Sequence, residues 1–222
     1  AASDVLAESP LMNVSDALTD IAEVSVIAAL NLAYQTVAKR HGYPLDENGR
    51  RCSLDHLAFV VAGYGKLGGI ELGYGSDLDL VFIHAFEEHS ETDGRKDISG
   101  AEFAIRVAQK FMSLMTTQTL DGRVYEIDTR LRPSGEAGML VTSLKAYAQY
   151  QQKSAWLWEH QALVRARSIA GDANLCQQFE QIRCQILTQK RDENVVREEV
   201  LKMRQKMKDH LGSSSEQKKH GI

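Results

Sequence analysis

The first regular pattern along the chain is a set of apolar residues with helical spacing between residues 14 and 41. Apolar side chains recur there every three or four positions, as on the buried face of an α-helix. Asn13 or Ser15 offers an N-terminal cap, and Gly42 follows three basic residues, which is typical of a helix C-terminus. The pattern therefore predicts a long helix over residues 14–41.

The middle of the chain has shorter apolar runs that are typical of strands. Residues 57–62 and 78–84 are rich in β-branched and aromatic side chains, and both runs are short enough for buried strands. Residues 123–131 alternate apolar and polar positions before Pro133, which predicts a third strand. Between the second and third strands, residues 101–117 carry an apolar stripe that predicts an amphipathic helix.

Only helices are predicted after the third strand. They cover residues 143–152, 155–167, 173–187 and 194–211. Strands followed by a run of helices indicate an α+β module with a helical extension. We therefore predict one domain over residues 1–170 and the truncated start of a helical domain over 171–222. Because the chain lacks an initiator Met and ends on a polar, serine-rich stretch, we expect a piece of a longer protein.

Composition narrows the possible classes of protein. The 222 residues carry a net charge of −4, whereas nucleic-acid binders usually have a basic excess, so we expect no nucleic-acid partner. No run of 18 apolar residues occurs, so no membrane span is expected. Three widely spaced cysteines argue against a disulfide framework or a zinc ribbon and favour the reducing cytoplasm.

A glycine-dense segment follows the first predicted strand. Gly63, Gly65 and Gly68 match the GxGxxG pattern of dinucleotide-binding proteins. We reject that interpretation because only about ten residues separate Gly68 from the next strand, which is too short for a crossover helix. A short glycine-rich turn can still bring backbone N–H groups onto a phosphate. The alternative is a tight turn that binds no ligand.

Two carboxylates mark the start of the second strand. Asp77 and Asp79 lie on the same face because strand side chains alternate. Neighbouring carboxylates repel each other unless a cation lies between them, and Mg²⁺ prefers carboxylates together with phosphate oxygens. The alternative is a solvated strand edge. His84, at the end of the same strand, is expected to pack rather than to bind metal.

The third predicted strand carries a charged face. That face comprises Glu126, Asp128, Arg130 and Arg132. Burying such a face is costly unless it serves a charged ligand. Asp128 is a candidate third carboxylate of a metal site, and Arg130 and Arg132 are candidates to hold a triphosphate through bidentate contacts. The alternative is an exposed sheet face with internal ion pairs.

The order of these motifs resembles the nucleotidyltransferase superfamily of the DNA polymerase β type. In that superfamily a glycine after a strand, here Gly65, precedes an Asp-x-Asp pair and an acid on a later strand. The superfamily usually has Gly or Ser where this chain has Lys66, so a lysine contact to phosphate is the alternative to the usual hydroxyl contact.

Several blocks are similar, in order, to glutamine synthetase adenylyltransferases. These blocks are residues 63–72, 76–82, 128–135, 138–141 and 158–167. That family carries two similar catalytic halves: one adenylylates glutamine synthetase and the other removes the AMP by phosphorolysis. Residues 71–74 and 158–167 look more like the adenylylating half. The deadenylylating half and a non-catalytic nucleotide sensor are the alternatives.

The resemblance implies a mixed sheet with flanking helices and the transfer of AMP from ATP to a tyrosine of glutamine synthetase. It implies that Asp77, Asp79 and Asp128 are catalytic and hold two Mg²⁺ ions. The nucleotide-binding residues that it implies are Gly65, Lys66, Gly68, Gly69, Ser76, Arg130 and Arg132. A PII-type signal protein would act through the full-length chain in the cytoplasm. Arg165 and Arg167 lie two positions apart on a predicted helix, so at most one should face the site.

Overall fold

The computed structural model describes residues 11–119, 122–194 and 196–205. The helices are α1 (Leu11–His41), α2 (Gly65–Gly68), α3 (Gly100–Thr116), α4 (Leu144–Lys153), α5 (Leu157–Ala162) and α6 (Ala173–Leu187). The strands are β1 (Phe59–Gly63), β2 (Leu78–His84), β3 (Gln118–Thr119), β4 (Gly122–Arg123), β5 (Ile127–Asp128), β6 (Val141–Ser143) and β7 (Arg167–Gly171). Short 3-10 turns occur at Leu54–His56, Gly135–Ala137 and Leu163–Arg165.

One mixed, five-stranded sheet organises the domain, which confirms the predicted α+β class. Its main order is β5-β2-β1-β7, and β1 is antiparallel to both β2 and β7. Two short strands run parallel to β2 along its other edge: β5 beside Leu78 and Asp79, and β6 beside Phe82 to His84. Residues 129–140, which join β5 to β6, therefore leave the sheet edge and return to it; we call them the edge loop.

Helices cover both faces of the sheet. Phe59 and Val61 of β1 belong to the core cluster that includes α1 and α3, whereas Val60 and Ala62 belong to a second cluster with α4 and α6. Alternate residues of β2 divide in the same way, so the predicted face assignment of that strand is correct. The Asp79 side chain therefore points to the same side as α4 and α6.

The predicted strand over 123–131 is too long: within that range only Arg123, in β4, and Ile127 and Asp128, in β5, belong to strands. Only Ile127 and Asp128 pair with β2. Beyond Asp128 the chain turns, because the backbone N–H of Arg130 donates a hydrogen bond to Asp128 Oδ1 at 2.8 Å. Such a contact between a side chain and the backbone two residues on is typical of a turn that competes with strand pairing.

The predicted helix over 155–167 is also too long. It comprises α5 and the turn Leu163–Arg165, after which β7 pairs with the free edge of β1. The sequence did not predict β7, because a five-residue edge strand carries too few residues for a periodic signal. The last predicted helix is seen at 193–194 and 196–205, and its remainder lies outside the described residues.

Helix α1 is long and apolar. By length and mean hydropathy it could cross a membrane, which is weak evidence by itself. In this structure 44% of its 18-residue apolar segment is buried. Its buried residues, among them Ala22, Val26 and Leu30, pack into the core with α3.

Helix α6, which follows the predicted domain boundary, packs on the sheet through Leu175 and Phe179. The boundary predicted at residue 170 stays a prediction.

Candidate active site

The register between β2 and β5 brings two of the predicted carboxylates together. Asp79 pairs with Asp128, one position after Leu78 pairs with Ile127. Because paired residues of neighbouring strands project to the same face, both carboxylates lie side by side. Asp77 immediately precedes β2 and is exposed. The structure thus brings Asp79 and Asp128 together, although they are 49 residues apart in the sequence.

The Asp79 carboxylate lies in an unfavourable electrostatic environment. Its pKa is raised, first by burial and then by repulsion from Asp77 and Asp128, while Arg130 and Arg165 partly offset the increase. Burial and neighbouring negative charge both disfavour the ionised form. A carboxylate in this situation is a candidate to bind a cation, since a bound cation would compensate the local negative charge.

Asp128 already has a cationic partner. Arg130 Nε donates hydrogen bonds to both carboxylate oxygens, at 3.0 Å to Oδ1 and 2.8 Å to Oδ2, and Nη2 also contacts Oδ2. These contacts lower the pKa of Asp128. The Arg130 side chain is 70% exposed, so we expect this ion pair to be weak enough to exchange for another partner.

The three aspartates match the chemistry of a magnesium site but do not form a complete cluster. Among the residues that the structure describes, no three His, Cys, Asp or Glu side chains converge as a set of metal ligands. Their oxygens are the donors that Mg²⁺ prefers, and the repulsion at Asp79 is the reason a cation fits there. Asp128 would have to exchange its contacts with Arg130 to join them.

The glycine-rich connection between β1 and β2 lies directly beside Asp79. Because β1 and β2 are antiparallel, this connection is a hairpin and not the crossover of a dinucleotide-binding fold. Gly65 has a φ of +55°, and a Cβ atom there would lie 2.3 Å from Asp79 Oδ2. The Asp79 carboxylate therefore occupies the space that a side chain at Gly65 would need.

The remaining predicted residues of this connection have different surroundings. Lys66 is exposed on α2. The Ser76 hydroxyl accepts a hydrogen bond from the backbone N–H of Gly73 at 3.1 Å, so it shapes the end of the turn. A Cβ at Gly68 would lie 2.0 Å from the Arg165 carbonyl oxygen, and one at Gly69 would lie 3.1 Å from Arg165 Cδ. Glycine at these positions lets the turn Leu163–Arg165 pack closely.

Arg132 differs from Arg130 in its partners. Its Nη1 donates to the carbonyl and the hydroxyl of Thr129 at 2.9 and 2.8 Å. Its Nε and Nη2 donate to the carbonyls of Gly138 and Glu136 at 3.2 and 3.1 Å. The guanidinium thus links the two ends of the edge loop. Its contact to a triphosphate stays a prediction, and such a contact would require these hydrogen bonds to break.

An open groove connects the acidic and basic residues. It has a volume of about 590 Å³, which is within the range of small-molecule sites. Its lining comprises Asp77, Glu126, Ile127, Asp128, Thr129, Arg130, Arg132 and Glu136. Carboxylates and the exposed guanidinium of Arg130 line the same groove, an arrangement suited to a metal-bound phosphate.

Comparison with known proteins identifies the family. The family model for glutamate-ammonia ligase adenylyltransferase matches residues 1–182. The chain belongs to this family. A bifunctional glutamine synthetase adenylyltransferase/adenylyl-removing enzyme of Acinetobacter baylyi is 82% identical over 222 residues, all of this chain and 24% of that protein. Proteins of the same name from Pseudomonas aeruginosa and Hahella chejuensis are 51% and 49% identical, each over 96% of this chain.

The chain spans about a quarter or less of the length of these relatives, from 21% to 24%. As the names of the relatives indicate, the members of this family are adenylyltransferases, enzymes that act in nitrogen metabolism. The resemblance inferred from the motifs is thereby confirmed. The names contain both activities, so they do not distinguish the adenylylating half from the adenylyl-removing half.

One block that resembles this family has a structural role. Glu159 Oε1 accepts a hydrogen bond from the Tyr150 hydroxyl, and Oε2 accepts one from the backbone N–H of Trp156, both at 2.8 Å. His160 Nε2 lies 2.8 Å from the Gln151 carbonyl oxygen. Residues 158–162 therefore hold α5 against α4 and do not line the open groove.

His84 is a packing residue, as expected, and its burial predicts a measurable pH dependence. It is 8% exposed, and its side chain stacks on the ring of Phe86. Its Nδ1 accepts a hydrogen bond from the Phe86 backbone N–H at 3.2 Å. Burial lowers the pKa of His84 to about 4. Because unfolding releases a histidine with a pKa of about 6.5, the free energy of unfolding should fall as the pH drops from 6.5 towards 4.

The variant His84→Asn should flatten this pH dependence by up to about 3 kcal/mol, since asparagine does not titrate and keeps an acceptor for Phe86. Urea unfolding at pH 7 and pH 4.5 measures the difference, with His56→Asn at an exposed position as the matched control. An unchanged difference between the two pH values would mean that His84 is accessible to protons in the folded state.

Proposed function

We propose that this domain transfers AMP from ATP to a tyrosine hydroxyl of glutamine synthetase and releases pyrophosphate, which down-regulates nitrogen assimilation. The observation that carries the proposal is the pairing of Asp79 with Asp128 beside the glycine-rich hairpin at Gly65. Family membership supports the reaction class. We further propose a cytoplasmic location and regulation of the full-length enzyme by a PII-type signal protein.

The proposed roles follow from the surroundings of each residue. Asp77 and Asp79, with Asp128 once it leaves Arg130, are the groups that would hold two Mg²⁺ ions. Such ions, when bound, stabilise negative charge on the entering and leaving oxygens of an in-line displacement. Asp128 also accepts the hydrogen bond of the attacking tyrosine hydroxyl and thereby helps to remove its proton.

The basic and glycine residues bind the phosphates in this proposal. The hairpin from Gly63 to Ser76 lacks side chains at several positions, so a polyphosphate can approach its backbone closely. Lys66 is exposed at this hairpin and is available to the same phosphates. Arg130, released from Asp128, neutralises the charge that grows on the leaving pyrophosphate.

The proposal is tested by binding and by product analysis. Calorimetry should detect ATP binding with Mg²⁺ and much weaker binding in EDTA, because the carboxylates repel a nucleotide without metal. Glutamine synthetase incubated with the chain, labelled ATP and Mg²⁺ should gain AMP on tyrosine. Equal affinity in EDTA would contradict the metal-dependent site.

The direction of the reaction is proposed from the likeness of residues 71–74 and 158–167 to the adenylylating half. The adenylyl-removing reaction is the second candidate, because the relatives' name includes it. Adenylylated glutamine synthetase incubated with the chain and inorganic phosphate should release no ADP. Release of ADP without forward labelling would reverse the assignment.

Arg130 and Arg132 should differ when each is replaced by alanine. Arg130→Ala leaves the edge loop intact but removes a charge from the groove, so turnover should fall by about ten- to a hundredfold while the melting temperature changes little. Arg132→Ala breaks contacts to Thr129, Glu136 and Gly138, so it should lower the free energy of unfolding by about 1–3 kcal/mol. Thermal melts and single-turnover rates separate the two effects, and equal loss of stability would contradict the distinction.

A further inference from the structure

Arg165 lies against the glycine-rich hairpin, although it is about 95 residues away in the sequence. It ends the turn Leu163–Arg165 and comes just before β7. Its carbonyl oxygen abuts Gly68 and its Cδ atom lies beside Gly69. Its Nη1 donates a hydrogen bond to Glu71 Oε2 at 2.6 Å, so the guanidinium lies over the outer part of the hairpin.

The Arg165–Glu71 ion pair is poorly suited to a structural role. Its two side chains are 51% and 53% exposed. Exposed pairs contribute little to stability, because water screens the charges and ordering two long side chains costs entropy. A polyphosphate carries more negative charge than Glu71 and matches the fork of a guanidinium equally well, so it can replace Glu71 as the partner of Arg165.

The lining of the groove carries more acidic than basic side chains, which leaves few cations for a polyphosphate. Among its lining residues, Asp77, Glu126, Asp128 and Glu136 are acidic, while the basic ones are Arg130 and Arg132. The Arg132 guanidinium is bonded to oxygens of the edge loop. Arg165 is close enough to Asp79 for its positive charge to lower the pKa of that carboxyl.

The neighbouring arginine has a different environment, which makes the assignment specific. Arg167 contacts Glu23 of α1 and donates to the carbonyl of Leu67 at 3.2 Å. Its side chain is 27% exposed and is thus engaged between α1 and the inner side of α2. Of these two arginines, Arg165 is the one that the fold presents at the outer face of the hairpin.

We propose that Arg165 binds the β- and γ-phosphates of the nucleotide, and that Glu71 holds this arginine in place until a polyphosphate displaces it. The proposal rests on the proposed function in that the ligand is taken to be ATP. It assigns to Glu71 a competing role: its carboxylate occupies the guanidinium in the free protein and must release it when nucleotide binds.

The test compares the affinities of variants for ATP, pyrophosphate and AMP, measured by calorimetry in Mg²⁺. Arg165→Ala should weaken ATP and pyrophosphate binding at least about tenfold and change AMP binding less than about twofold, since AMP lacks the outer phosphates. Arg165→Lys should recover part of the loss, because it keeps the charge without the fork. Arg106→Ala is the matched control, since Arg106 forms an exposed ion pair with Glu102 on α3.

The exchange itself is tested with Glu71→Gln. Removing the competing carboxylate should tighten ATP binding about two- to fivefold in the otherwise unaltered chain and have no effect when Arg165 is already alanine. Tightening that persists in the double variant would overturn the exchange, since it would reflect only the general charge of the region.

The outcomes distinguish this inference from the proposed function. If the unaltered chain binds ATP in a Mg²⁺-dependent way but Arg165→Ala behaves as Arg106→Ala does, the assignment of Arg165 is wrong and the proposed function stands. If AMP binding weakens as much as ATP binding, the contact to the outer phosphates is wrong. If the unaltered chain binds no ATP, the proposed function fails and the assignment fails with it.

Discussion

The variant Asp79→Asn is expected to lower the rate of AMP transfer at least about a thousandfold, because it removes the central carboxylate of the proposed metal site. The same change should keep or raise the melting temperature of the chain without nucleotide. Asparagine has nearly the same size, and it relieves the burial cost and the repulsion from Asp77 and Asp128 that raise the pKa of Asp79. Single-turnover rates and thermal melts measure the two effects.

The raised pKa of Asp79 also predicts how the stability of the folded chain changes with pH. Because the pKa of Asp79 is higher in the folded than in the unfolded chain, the folded state binds the proton more tightly. Stability therefore falls as the pH rises from the unfolded-state pKa of about 4 through the raised folded value. The stabilising effect of Asp79→Asn should thus be largest near neutral pH and shrink in acid.

A matched control separates a local from a general charge effect. Asp20→Asn removes one negative charge at an exposed position of α1 and should change neither the rate nor the melting temperature appreciably. A large loss of stability in Asp79→Asn would mean that this carboxylate holds the fold together. Retained transfer activity would exclude Asp79 as a ligand needed for the reaction.

The sequence predicted the parts of the site that depend on local periodicity. Alternation along β2 correctly separated Leu78 and Leu80 from Asp79, because a strand buried on both sides has a strict period of two. The length of the segment between β1 and β2 correctly predicted a connection too short for a crossover helix. The pairing of Asp79 with Asp128 could not be derived from either segment alone, since strand register is a tertiary property.

Two predictions from the sequence failed because a side-chain contact or a tertiary partner determines the local structure. Asp128, Arg130 and Arg132 occupy every second position, as on one face of a strand, yet the hydrogen bond from the Arg130 N–H to Asp128 turns the chain away from the sheet. Arg132 then closes the edge loop. Likewise the sequence predicts Arg165 on a helix, whereas the pairing of β7 with β1 brings it to the hairpin.

The variant Gly65→Ala should have the second-largest effect on activity, with a much smaller effect on stability. The backbone at Gly65 has a φ of +55°, where an L-residue costs about 1–2 kcal/mol. A methyl group there would also lie 2.3 Å from Asp79 Oδ2, so the carboxylate must rotate away. Transfer of AMP should fall at least about a hundredfold, because a displaced ligand cannot hold the reacting groups in place.

Gly75→Ala provides the control that separates backbone strain from displacement of Asp79. Gly75 has a φ of +69°, but the space around its Cβ position is open to 4 Å. Both variants should therefore lose a similar free energy of unfolding, measured by urea denaturation, whereas only Gly65→Ala should lose the rate of AMP transfer. If both variants lose activity equally, the hairpin conformation matters and the contact between Gly65 and Asp79 does not. If Gly65→Ala keeps full activity, Asp79 reaches its working position without the space that this glycine leaves.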